Sequence, residues 1–286
     1  MKQEFSVRFL SDAINCVSHC LLMEKLMSYI TTDYEQSIAR ITLNRPEKLN
    51  AFNNEMINAL KAAVLAAELT PSIRFIVLAA NGKHFSAGAD LNWMQSNIGK
   101  SEAENETDAK QLADLLQTLT HCKLPIICKV QGRSFGGALG LIACSDIVVA
   151  SDVATFCFSE VKLGIIPATI APYILRKIGL SRAMQYILSG NVFDAEKAHE
   201  FGLIHHIKPS VELDVETDKI CQFLLKNGPH AMMAAKALLN QLQPIDEKIA
   251  VLTAKSLAKI RISSEGQEGL KAFLEKRKPN WLEVNV

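Results

Sequence analysis

The stretch Gly132-Arg133-Ser134-Phe135-Gly136-Gly137-Ala138-Leu139-Gly140 joins an apolar strand to an apolar helical run. Leu124 to Val130 has the pattern of the strand, and we expect the helix to extend from Gly137 to Cys144. A glycine pair at such a junction leaves backbone N–H groups free where the helix begins. Because these donors and the helix dipole favour negative charge, the stretch predicts an anion-binding turn.

A carboxylate follows this turn in an apolar setting. Glu160 comes directly after Ser159, and the hydrophobic residues around it in sequence are Phe156, Phe158, Val161 and Leu163. Burial among such side chains raises the pKa of a carboxyl group, which suits an acid/base that works near neutral pH. The two features together predict an acid/base group beside an anion hole.

Two further motifs precede the glycine pair. Ile73 to Ala80 is typical of a buried strand, and the segment His84-Phe85-Ser86-Ala87-Gly88-Ala89-Asp90-Leu91 follows it with small residues that another backbone can approach closely. The segment Leu43-Asn44-Arg45-Pro46-Glu47-Lys48-Leu49-Asn50-Ala51 has the pattern of a turn after a strand, and we interpret Arg45 and Lys48 as solvated charges. Strands and helices alternate as far as Glu160, which favours a parallel α/β arrangement.

These ordered motifs resemble those of the crotonase superfamily, the enoyl-CoA hydratases and isomerases, and the tail Glu268 to Lys278 resembles the C-terminal signature of that family. The resemblance implies an α/β fold with a ββα spiral core and a C-terminal helical region. It divides the chain into an N-terminal extension (1–27), a spiral catalytic core (28–210) and a helical trimerisation region (211–286). In the family this helical region packs on a neighbouring subunit, so we expect a homotrimer or a hexamer.

The resemblance also implies roles for individual residues. In the family two backbone N–H groups hold the carbonyl oxygen of an acyl-CoA thioester, and the motifs place these donors at Ala89 and Gly137. Glu160 becomes the catalytic acid/base. The expected substrate-binding residues are Lys48, Leu49, Ser86, Ala87, Asp90 and Gly136. Hydratases commonly use a second glutamate to hold the water, but its position in this chain is Gly140.

The implied activity is hydration of a 2-enoyl-CoA thioester. The motifs around Gly137 and Glu160 are similar to those of the bacterial methylglutaconyl-CoA hydratases of leucine breakdown, which favours a 3-methylglutaconyl-type substrate. Such a substrate carries a free carboxylate, and the candidate cations near the motifs are Arg133, Lys162 and Arg176. The missing glutamate leaves two alternatives open, a Δ3,Δ2-enoyl-CoA isomerase and a non-catalytic acyl-CoA-binding protein.

Composition argues against several other classes of protein. The 286 residues carry a formal net charge of +1, without the basic excess that nucleic acid or an anionic membrane favours. The seven cysteines include no CxxC pair, which is typical of reduced thiols in a cytoplasmic protein. No apolar run reaches the ~20 residues of a membrane span. We expect no metal and no cofactor, since coenzyme A is part of the substrate.

Overall fold

Two β-sheets organise the chain, which a computed structural model describes over residues 29–242 and 246–282. The strands are β1 (Ile30–Glu35), β2 (Ile38–Leu43), β3 (Phe75–Ala80), β4 (Ile126–Val130), β5 (Arg133–Phe135), β6 (Ile147–Ser151), β7 (Thr155–Cys157), β8 (Phe193–Asp194) and β9 (His206–Lys208). The larger sheet has the order β1-β2-β3-β4-β6-β9, and the smaller has the order β5-β7-β8. Only β1 is antiparallel to its neighbour in the larger sheet, so the predicted parallel α/β arrangement is confirmed.

Helices follow or separate most of these strands. The α-helices of the described residues are α1 (Asn54–Leu69), α2 (Leu91–Ser96), α3 (Glu102–His121), α4 (Ala138–Cys144), α5 (Ala171–Ser189), α6 (Ala195–Glu200), α7 (Leu213–Leu225), α8 (Pro229–Leu242), α9 (Glu247–Arg261) and α10 (Ser264–Leu274). The long helix α3 begins at a capping box, in which Ser101 and Glu104 satisfy each other's backbone N–H groups. None of the described helices combines the length and apolarity that crossing a membrane requires.

The parallel strands lie between layers of helix. Every residue of β3 is buried, as expected for a strand covered on both faces. The main core joins the strands to the apolar faces of α1 and α3, where Met56, Leu60, Leu115 and Leu116 are all nearly fully buried. Because β3 and β4 are parallel neighbours, the segments that follow them leave the sheet at the same edge.

The C-terminal helices pack on the core of their own chain. Helix α9 lies along α3, and α10 contacts α2 and the short 3₁₀ turn Glu160–Leu163. Ala254 and Leu257 of α9 are buried against Ala109 and Ile165. The sequence predicted a helical region that packs on a neighbouring subunit. Within the described residues, α9 and α10 cover the chain from which they extend, and the expected packing on a neighbouring subunit stays a prediction.

Two sequence features fall at the margins of this fold. The predicted N-terminal extension, residues 1–27, lies outside the described residues. Helix α5 runs from Ala171 to Ser189. The run is interrupted at Gly179, whose φ of 75° and ψ of 164° are not helical. A glycine tolerates this positive φ, and the chain kinks there.

Candidate active site

A cavity of about 770 Å³ collects residues from the loops at the sheet edge and from the C-terminal helices. Its wall includes eight of the nine sequence-predicted site residues, namely Lys48, Leu49, Ala87, Ala89, Asp90, Gly136, Gly137 and Glu160. Helices α2, α9 and α10 supply the wall residues Trp93, Met94, Leu257, Arg261, Leu270 and Phe273. Ser86, the ninth predicted residue, lies behind the wall.

The backbone around Ala89 is held by a short parallel bridge to Phe52. The Phe52 amide donates to the Gly88 carbonyl at 2.7 Å, and the Asp90 amide donates to the Phe52 carbonyl at 2.8 Å. In this pattern the amide of Ala89 points away from Phe52 and has no hydrogen-bond acceptor among the described residues. Since Ala89 lines the cavity, its N–H group is available to a ligand there.

The glycine pair provides a second such donor. The Gly136 amide donates to the Cys157 carbonyl at 2.9 Å, which ties this turn to β7. Gly136 has a φ of 55°, a left-handed conformation that favours glycine, and the chain then enters α4. The Gly137 amide finds no acceptor among the described residues, although the amides of Leu139 and Gly140 are both bonded. Gly137 therefore offers a free N–H group to the same cavity as Ala89.

The carboxyl group of Glu160 faces this part of the cavity. A β-carbon placed on Gly136 would lie 3.3 Å from Glu160 Oε1 and 3.7 Å from Ser159 Oγ, so both side chains border the glycine pair. Glu160 Oε2 is buried, and no described residue donates a hydrogen bond to it. Burial raises the pKa of Glu160 to about 7. A carboxyl group with one free oxygen and a pKa near neutrality can accept and return a proton.

Neighbouring side chains fill the space at Gly140, the position at which hydratases of the family commonly have a second glutamate. Gly140 lies inside α4 and is buried. A β-carbon placed there would be 2.6 Å from Ile170 Cγ2 and 3.1 Å from Leu116 Cδ2. Because even one added carbon overlaps Ile170, this position has no room for a glutamate side chain.

We expect Gly140→Glu to destabilise the protein rather than to supply a second carboxylate. The clash with Ile170 and the burial of a carboxylate inside α4 should lower the free energy of unfolding by about 4 kcal/mol or more. Urea unfolding measures the effect, and Gly137→Ala is a matched control in the same turn. Its β-carbon would lie 3.5 Å from carbons of Leu112 and Phe52, an ordinary contact. A Gly140→Glu protein of parental stability would contradict this account of the wall.

The turn that carries Lys48 is fixed to the segment after β3 by buried polar contacts. Arg45 Nη2 donates to Asp90 Oδ2 at 3.0 Å, and Arg45 Nη1 donates to the Ala51 carbonyl at 2.9 Å. Arg45 is 9% exposed, so its interpretation as a solvated charge is wrong. Asp90 also caps α2 by accepting from the Asn92 amide at 2.8 Å. Asp90 thus holds the wall in place with both carboxylate oxygens.

Ser86 stabilises the segment around Ala89 from the side that faces away from the cavity. Its hydroxyl donates to the Asn50 carbonyl at 2.8 Å and accepts from the Gly88 amide at 3.2 Å. The side chain is fully buried and does not reach the cavity. We therefore reassign Ser86 from substrate binding to support of the backbone on either side of Ala89.

The three cations that were predicted to bind a substrate carboxylate do not all reach the cavity. Lys162 lines the cavity, whereas Arg133 and Arg176 do not. Arg176 instead donates to Asn240 Oδ1 at 3.3 Å. The buried cation in the wall is Arg261, which sequence reasoning missed because it lies far along the chain from every motif. Its position on the last turn of α9 gave no local signal.

Comparisons with known proteins fit this geometry. The sequence profile described as enoyl-CoA hydratase/isomerase matches residues 33–284. The chain belongs to this family. An enoyl-CoA hydratase from Shewanella pealeana, a solved structure, is 42% identical, covers 91% of this chain and 98% of its own, and superposes with a TM-score of 0.75. The predicted crotonase fold, an α/β core followed by C-terminal helices, is confirmed.

Two curated members of the enoyl-CoA hydratase/isomerase family match over nearly their whole length. The 2,3-dehydroadipyl-CoA hydratase of Escherichia coli K12 is 33% identical over 259 residues, which is 89% of this chain and 99% of that protein. The crotonyl-CoA hydratase of Syntrophomonas wolfei is 30% identical over 256 residues, 88% of this chain and 97% of that protein. Membership of the family makes an acyl-CoA thioester the expected ligand of the cavity.

Proposed function

We propose that this protein hydrates a 2-enoyl-CoA thioester. The observation that carries the proposal is the buried carboxyl group of Glu160, whose Oε2 has no partner among the described residues, beside the two free amides of Ala89 and Gly137. A thioester carbonyl oxygen that accepts from both amides gains negative charge as the reaction proceeds. Preorganised donors in a site shielded from water stabilise that charge by several kcal/mol.

In the proposed reaction Glu160 moves one proton. Its carboxylate accepts a proton from a water molecule while the water oxygen bonds to the β-carbon of the enoyl group. The electron pair of the double bond shifts toward the carbonyl oxygen, where the amides of Ala89 and Gly137 hold the enolate. Glu160 then returns the proton to the α-carbon, so the water is added completely and the glutamate ends as it began.

The second candidate function is a Δ3,Δ2-enoyl-CoA isomerase, favoured by the closed position at Gly140. A shift of the double bond needs one proton shuttle and no held water, which a single carboxylate provides. The position of Ser159 supports hydration instead, since its hydroxyl lies beside Glu160 and offers the second polar contact for a water. The third alternative is a non-catalytic acyl-CoA binder. Binding alone does not require a buried acid/base group, so this alternative does not explain Glu160.

For the substrate we propose a 3-methylglutaconyl-type thioester, with no cofactor beyond the coenzyme A that the substrate carries. The relative named as a 2,3-dehydroadipyl-CoA hydratase supports a substrate with a second carboxyl group. We also propose a trimer or a hexamer. Exposed apolar residues support such an assembly, and those on α5 and α8 include Leu180, Met184, Leu188, Leu238, Leu239 and Leu242.

A panel of thioesters tests the proposed reaction. We expect the purified protein to remove the conjugated absorbance of 2-enoyl-CoA substrates, because hydration destroys the conjugation between the double bond and the carbonyl. An isomerase would instead create this absorbance from 3-enoyl-CoA and leave 2-enoyl-CoA unhydrated. Binding of these thioesters without turnover of either kind would support the non-catalytic alternative and overturn both activities.

A further inference from the structure

A buried polar cluster forms part of the cavity wall at α2, α3 and α9. Asp108 of α3 stands at its centre and is 4% exposed. Its Oδ2 accepts from Arg261 Nη1 at 2.9 Å and from Asn97 Nδ2 at 3.1 Å, and its Oδ1 accepts from Trp93 Nε1 at 2.8 Å. Both oxygens of Asp108 are thus occupied, and the Arg261 guanidinium also lies over the Trp93 ring.

Arg261 keeps unused donors on the cavity side. It is 9% exposed, it lines the cavity, and one of its nitrogens is bonded to Asp108. Its other nitrogens bond to no described residue, yet they are not sealed from solvent. A guanidinium carries five N–H donors, and buried donors without an acceptor are costly. The wall therefore presents N–H groups that a ligand in the cavity can satisfy.

Among the described residues, charges of both signs surround the cluster in equal number. Lys100 Nζ donates to Asn97 Oδ1 at 2.7 Å, which brings a second cation to the edge of the cluster. Hydrogen bonds from Ser101 and, to a smaller extent, the charge of Lys100 lower the pKa of Glu104, so Lys100 and Arg261 are matched by the carboxylates of Asp108 and Glu104. The residues in the wall next to Arg261, Met94, Leu257 and Leu270, are apolar and add no opposing charge.

Helix α3 sets the distance between this cluster and the anion hole. Leu112 contacts the glycine pair, because a β-carbon on Gly137 would lie 3.5 Å from its Cδ2. Asp108 precedes Leu112 by one helical turn on the same face, about 6 Å along the axis. The Asp108–Arg261 pair therefore lies about one helical turn along α3 from the residue that borders Gly137, which is the length scale of a short acyl chain.

We propose that Arg261 binds a carboxylate at the far end of the acyl group, so that the cavity selects short enoyl thioesters of dicarboxylic acids. This inference rests on the proposed function for the identity of the ligand as an acyl-CoA. The carboxylate fills the unused donors of Arg261, while Asp108 keeps the guanidinium oriented. A thioester that ends in a methyl group leaves those donors unsatisfied.

Binding of saturated thioesters tests the proposal without any turnover. We expect titration calorimetry to give a dissociation constant at least about tenfold lower for glutaryl-CoA than for pentanoyl-CoA, which has the same chain length without the carboxylate. Arg261→Gln should abolish that preference. The double variant Asp108→Asn/Arg261→Gln should also show no preference for glutaryl-CoA. Because it leaves no unpaired buried charge, it tests the proposal even if the single variant fails to fold.

Kinetics with the matched unsaturated pair give a second measurement. Arg261→Gln should lower kcat/KM for glutaconyl-CoA about 10²-fold and change that for 2-pentenoyl-CoA by less than about threefold. Equal losses for both thioesters would show a structural role and overturn the proposal, as would a parent protein that does not prefer glutaryl-CoA. If that binding preference holds while no thioester is hydrated, only the proposed function fails.

Discussion

Replacing Glu160 by glutamine is expected to lower the turnover of a 2-enoyl-CoA thioester by about 10²–10⁴-fold. Glutamine keeps the shape of the side chain and the contacts beside Gly136, but it cannot take a proton from water. Thioester affinity should change little, because the amides of Ala89 and Gly137 and the cavity wall are untouched. The measurement is kcat by absorbance, with the dissociation constant of a saturated thioester as the control. Near-parental turnover would remove Glu160 from the mechanism.

The pH dependence of the parent protein provides an independent check on Glu160. Burial raises its pKa to about 7, and hydration needs the ionised form as the base. We therefore expect kcat/KM to fall below about pH 7 as the carboxylate gains a proton. The residual activity of Glu160→Gln should not show this fall at low pH.

Stability should respond to pH at the same residue without any assay of activity. The folded protein holds the Glu160 proton up to about pH 7, whereas the unfolded chain releases it near the ordinary glutamate pKa of 4.5. This contribution to the free energy of unfolding therefore decreases as pH rises from 4.5 to about 7 and stays low above that range. Glu160→Gln, which does not titrate, should gain stability relative to the parent protein across the same interval.

Gly137→Pro is expected to lower turnover by about 10²-fold or more, because it removes one of the two donors to the thioester oxygen. Gly137 has a φ of −52°, close to the value that proline requires, so the backbone of the residue itself accepts the change. The substitution isolates the N–H group better than a truncation can, since no side chain carries this function.

Gly137→Ala is the matched control for the proline variant. Alanine keeps the N–H group, and its β-carbon meets Leu112 and Phe52 at ordinary distances. We expect the alanine variant to retain most of its turnover, with circular dichroism confirming that both proteins fold. A folded Gly137→Pro protein with parental rates would show that this amide does not hold the oxyanion.

The sequence predicted the elements that depend on short-range pattern. The buried strand that ends at Ala80, the helix that ends at Cys144 and the turn at the glycine pair all lie within a few residues of their predicted positions. None of the strands β5, β7 and β8 of the smaller sheet was predicted, because strands of two or three residues are too short to show periodicity. Their pairing is decided by the segments that they meet in space.

By itself the sequence determined the family, the glycine turn and an acid/base residue in an apolar segment, because each is encoded by neighbouring residues. Only the tertiary structure decided how these parts work together. The free amide of Ala89 depends on a bridge to Phe52, and the closed position at Gly140 depends on Ile170 from a distant helix. Arg261 reaches the cavity because α9 packs on α3. Contacts between residues far apart in the chain follow from packing, which no local pattern records.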